Sequence, residues 1–143
     1  MKKNIIKILF FVVVFEPTLI YAHDIGDDLP ISASATAVWY VTCSDDGNGT
    51  PTTLEVTVNN ATAKAPMLSA QVITNENPPK FFNIADPIGG DKISSAQIST
   101  DYGGNHLILL NKFGTGALSY QVTYHCYSDY TQSHTGTDSV NIQ

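Results

Sequence analysis

The run "ALSYQVTYHCY" (117–127) alternates along its length, with Tyr120, Val122, Tyr124 and Cys126 on one parity and His125 on the other. A period of two is the mark of a half-buried β-strand, because successive side chains leave a strand on opposite faces. The pattern recurs. "ATAVWYVTC" (35–43) sets Ala37, Trp39, Val41 and Cys43 on one face, and "TLEVTVN" (53–59) sets Leu54, Val56 and Val58 against Thr53, Glu55 and Thr57. "LSAQVIT" (68–74), "KFFNI" (80–84) and "ISSAQIS" (93–99) predict further strands, and one more is expected within 133–142. "HLILLNK" (106–112) is apolar on both parities, which suits a strand in the middle of a sheet.

Between these runs lie "SDDGNGTP", "NENPP", "ADPIGGD", "DYGGN" and "KFGTG". Gly supplies positive φ, Asn and Asp tolerate it, and Pro cannot continue a ladder, so each segment reads as a turn. No stretch has helical periodicity, and there is no internal repeat or low-complexity tract. The expectation is an all-β antiparallel β-sandwich of seven or eight strands.

The start of the chain reads differently. Lys2, Lys3 and Lys7 precede the apolar run "ILFFVVVF", Glu16 and Pro17 close it, and "TLIYA" places Ile20 and Ala22 at the positions a signal peptidase reads. Residues 1–22 are therefore expected to be a secretory signal, with 23–34 a flexible mature N-terminus and 35–143 the sandwich. The apolar run is well short of the roughly 18 residues that span a bilayer. The mature chain is expected to be soluble and secreted by a bacterium, into the periplasm or beyond the cell.

Removing the signal leaves four lysines, no arginine and twelve carboxylates, a formal charge of −8 against −6 for the whole chain. Nucleic acids and anionic lipids are bound chiefly through Lys and Arg, so neither is an expected partner. Cys43 and Cys126 are the only cysteines, and in an oxidising compartment they are expected to pair. Pairing also removes a free thiol as a nucleophile. "YHC" (124–126) resembles the tyrosine corner of immunoglobulin domains, and that resemblance implies an Ig-like β-sandwich with Cys43 and Cys126 as its one inter-sheet disulfide, the B–F bridge. Trp39 departs from the family, since it precedes the first cysteine.

Cleavage after Ala22 would leave His23 with a free α-amine beside its imidazole, a pair that chelates copper. On "YA|HD" and the expected sandwich, the chain resembles in outline secreted Ig-like copper proteins, the CopC-type carriers and the histidine-brace monooxygenases. The resemblance implies His23 as a ligand and extends to no other residue, since the carriers' Asp-x-His motif is absent. Independently, a four-residue hairpin loop "SDYT" would set Tyr127 opposite Gln132 and His125 opposite His134, with Cβ atoms about 5 Å apart. The candidate metal residues are thus His23, His125 and His134, with Asp24 and His106 as further candidates and copper as the metal. His106 reads most simply as a strand-end residue, and a solvated cross-strand pair is the plain alternative for His125 and His134.

The acidic turns "DDGNG" and "DPIGGD" carry the oxygen ligands that calcium prefers, but lack the spacing of an EF-hand and read as turn formers. No G-x-S-x-G or H-E-x-x-H motif is present, and no catalytic role is expected. The rival reading is an adhesive or accessory module that binds a glycan or protein through Tyr102, Tyr127 and Tyr130. A third is a structural subunit of an extracellular assembly, joined through edge strands. The sequons "NGT" and "NAT" read as chance in a bacterial chain.

Overall fold

The computed structural model describes residues 23–87, 89–91, 95, 97–128 and 133–143. Within them the chain forms nine strands and no helix: β1 (His23–Leu29), β2 (Thr36–Ser44), β3 (Thr53–Asn60), β4 (Met67–Thr74), β5 (Phe81–Asp86), β6 (Ile98–Ser99), β7 (Asn105–Phe113), β8 (Leu118–Tyr127) and β9 (Gly136–Asn141). No helix among the described residues is long and apolar enough to cross a membrane. The segment read as a signal lies outside the described residues.

The strands pair antiparallel in two sheets, β1-β8-β3-β6 and β5-β4-β7-β2-β9. This is the β-sandwich that the alternation implies. Strands β1 to β8 are arranged in the two sheets in the order of a jelly roll, in which two Greek keys fold over each other. β9 adds a fifth strand outside β2. The immunoglobulin resemblance thus extends to two facing antiparallel sheets with a cystine between them, and stops at the strand order. Residues 23–29, expected as a flexible arm, are paired with β8 along the whole of β1, where Ile25 and Leu29 are buried.

The core is built from the parities read in the sequence. Leu54, Val56 and Val58 of β3, Leu68, Ala70 and Val72 of β4, Ile108 and Leu110 of β7 and Leu118 and Val122 of β8 are all buried in one cluster between the sheets. The expected centrality of "HLILLNK" holds, since β7 lies in the middle of its sheet. The inward row of β8 stitches the layers together. Tyr120 accepts a hydrogen bond from Trp39 Nε1 (2.9 Å), Tyr124 donates to Ser139 Oγ (2.7 Å), and Cys126 is bonded to Cys43. Each of these pairs joins one sheet to the other.

Polar groups are buried at the end of the sandwich where β3, β5 and β7 finish, and each of the following is matched to a partner. The amine of Lys112 donates to the carbonyls of Pro30 and Gly116. Asn60, fully buried, donates its side-chain amide to Pro66 O (2.8 Å) and its backbone N–H to Asp86 Oδ2 (2.9 Å). The "NAT" sequon is therefore closed to modification in the folded chain.

Candidate functional site

The candidate residues gather mainly on the outer face of the four-stranded sheet. Because Cys126 points inward, His125 and Tyr127 point outward, and β3 sets Glu55 directly opposite His125. Beyond β8 the chain returns through 128–133, and Tyr127 bridges to His134. This register differs from that of the four-residue hairpin, in which Gln132 stood opposite Tyr127. Six residues separate Tyr127 from His134 in sequence, and the next described strand, β9, joins β2 rather than β8. His125 and His134 are nevertheless brought together, as diagonal neighbours, with ring centroids 4.6 Å apart and edge to face. Tyr127 completes the cluster, 4.7 Å from the His134 ring.

The electrostatics follow from the packing. Burial, and then the neighbouring His134, hold the pKa of His125 below the usual imidazole range, against a smaller upward pull from Glu55. His125 Nδ1 is buried with no hydrogen-bond partner. A groove of about 200 Å3 beside the ring is lined by Glu55, Thr57, Gln97 and Thr123. Burial raises the Tyr127 phenol, with the Glu55 carboxylate adding to the effect. Neutral imidazoles with an open nitrogen are competent ligands for a borderline metal ion.

His23 stands opposite Tyr124, the residue before His125, with the His23 and Tyr124 rings 5.9 Å apart. Paired residues share a face, so the His23 side chain lies on the inner side of the sheet and His125 on the outer. The backbone nitrogen of His23, however, lies at the end of β1 next to His125. Asp24 faces outward and accepts a hydrogen bond from Thr123 Oγ1 (2.6 Å). Among the described residues, no three His, Cys, Asp or Glu side chains converge to hold a metal.

His106 is in a different place. It points inward from β7 and is fully buried. Thr100 Oγ1 donates to Tyr102 O (2.9 Å) and lies 3.3 Å from His106 Nε2, which puts the imidazole proton on Nε2. Burial pushes its pKa down to about 4, against a lesser upward pull from the backbone of Tyr102 and Gly104. His106 is therefore a neutral core residue, not part of the outer cluster.

The tyrosines are dispersed. Tyr102 donates to Asn75 O (3.2 Å), packs beside His106 and lines an open cleft of about 740 Å3 with Ser44, Asp45, Thr52 and Asp101. Tyr127 belongs to the histidine cluster, and Tyr130 lies outside the described residues. In the acidic turn "DDGNG" the carboxylates act as turn formers, Asp45 Oδ1 accepting from Gly47 N (2.8 Å) and Asp46 Oδ1 from Asn48 N (3.2 Å), whereas Asp86 of "DPIGGD" is buried in β5 and accepts from Asn60 N. Glu55 was missed in the sequence because its only signal was an outward parity, and its position opposite His125 depends on the β3–β8 register. Comparison with protein-family models, curated proteins and solved structures gave no match.

Proposed function

We propose that this chain is an exported, non-catalytic binding protein whose ligand is a copper(II) ion. The ion is held by His125 and His134, together with the amine of His23 once residues 1–22 are removed. The observation that carries the reading is the pair of imidazoles 4.6 Å apart at the end of β8, with His125 Nδ1 buried and without a partner. Burial keeps His125 deprotonated at neutral pH, so its lone pair is available. The register supports a third donor in this reading, because His23 pairs with Tyr124, so that an amine freed at His23 would lie beside His125. Nitrogen donors of this kind favour copper over hard cations such as calcium.

The test is titration of the chain beginning at His23 with Cu(II), followed by quenching of Trp39, its only tryptophan. One equivalent is expected to bind. Adding a single glycine before His23, or His125→Ala, is expected to weaken binding about 100-fold, or roughly 3 kcal/mol. An affinity indifferent to both changes overturns the reading.

A further inference from the structure

The outer face of the five-stranded sheet has a character that neither the fold nor the histidine cluster requires. Register pairs Phe81 with Ile73, Ile73 with Leu107, Leu107 with Tyr40 and Tyr40 with Val140. These five side chains form one unbroken apolar row across all five strands, and its two ends, Phe81 and Val140, are 59% and 52% exposed. Val38 and Leu109 extend the row on one side, and Met67 and Phe113, the latter 62% exposed, close the corner. Among the described outward positions of this sheet, the only charge is Asp138, on the edge strand.

We infer that this face is where two copies of the chain meet, sheet against sheet, to form a symmetric dimer. Three observations select a second copy. First, the chain carries a net charge of −6 and lacks arginine, so two copies repel wherever their carboxylates face each other, and this face has almost none. A basic partner would instead be drawn to the other face, where Asp24, Asp28 and Glu55 point outward. Second, the row is self-complementary. A two-fold axis through Leu107 sets Leu107 on its own copy, Ile73 on Tyr40 and Phe81 on Val140, the pairing an isologous contact needs. Third, four neutral polar side chains of the face already satisfy one another in pairs, Gln71 Nε2 donating to Asn83 Oδ1 (3.2 Å) and Ser69 to Asn111. Covering them therefore leaves little unpaired.

The size is sufficient. Five strands about 4.8 Å apart and about seven residues long present roughly 550 Å2 per copy, or about 1,100 Å2 in all, at the lower end of specific interfaces. A dissociation constant in the micromolar range is expected, with the facing sheets about 10 Å apart.

Sedimentation equilibrium on residues 23–143, which carry both sheets and the cystine, tests the inference in the presence of a chelator, so that copper plays no part. The expected result is a monomer–dimer equilibrium that tightens as salt screens the net charge. Leu107→Glu places two carboxylates together at the axis and is expected to weaken the dimer about 100-fold. Phe81→Glu, at an exposed position where folding is not at stake, is expected to weaken it about tenfold, and Thr123→Glu on the opposite face to leave it unchanged. A chain that stays monomeric at about 200 μM, or a dimer that ignores both Leu107→Glu and Phe81→Glu, overturns the inference.

Discussion

The two outer faces of this sandwich are built from the same kind of strand and end in opposite chemistries. On the four-stranded sheet the outward positions are Asp24, Asp28, Glu55, Thr57, Gln121, Thr123 and His125, the polar half of a clean alternation. On the five-stranded sheet Phe81, Ile73, Leu107, Tyr40 and Val140 line up outward beside Gln71, Asn83, Ser69 and Asn111, so an apolar row crosses a face that is otherwise mostly neutral and polar. A monomer needs only one apolar face per sheet. The apolar row is therefore surplus to folding, and the polar face carries the histidine cluster on which the proposed copper site rests.

That comparison depends on the sheets staying back to back, and the largest prediction attacks this directly. Cys43 and Cys126 close a loop of 83 residues between the layers. Replacing both with alanine is expected to cost about 4 kcal/mol, read from urea unfolding at neutral pH. A loss below about 1 kcal/mol would mean that core packing alone fixes the two faces.

Acid sharpens the contrast between inside and outside. His106 has a folded pKa of about 4, below the 6.5 of an unperturbed imidazole. As pH falls the unfolded chain takes up this proton first, so the stability it contributes is complete above pH 6.5 and is lost between 6.5 and 4. The loss is about 3 kcal/mol from this residue. His106→Gln is expected to flatten that part of the stability profile, measured against the parent by urea unfolding at several pH values. His125, half-buried on the outer face, shifts in the same direction, so His125→Gln is expected to flatten the profile less.

The smallest prediction concerns a single stitch between the layers. Trp39→Phe keeps the ring but removes the donor to Tyr120, and is expected to cost about 1 kcal/mol in unfolding free energy. The outer faces should not respond, and an altered copper affinity in this variant, read by isothermal titration calorimetry because the variant has no tryptophan, would show that the two sheets are coupled more tightly than back-to-back packing requires.

Much of this architecture was legible in the chain because a period of two is a local property. The parity of "ALSYQVTYHCY" placed Tyr120, Val122, Tyr124 and Cys126 inward, "TLEVTVN" did the same for β3, and the doubly apolar "HLILLNK" took the centre of a sheet. The two cysteines, with no others to choose from, pair as expected. The turn residues marked the ends of strands, except at 23–29, where Asp and Gly concealed the edge strand β1 and its two buried anchors, Ile25 and Leu29.

What local pattern does not encode is which strand lies beside which. The sequence determined the strands, their inward rows and an acidic chain without arginine, because side-chain alternation and charge are properties of neighbouring residues. Only the tertiary structure decided that β9 leaves β8 for β2, that Glu55 stands opposite His125, that His106 is sealed in the core, and that five apolar residues from five strands align in one row. Each of these is a pairing across tens of residues, fixed by the jelly-roll order and by register, and a shift of a single residue would have turned each side chain to the other face.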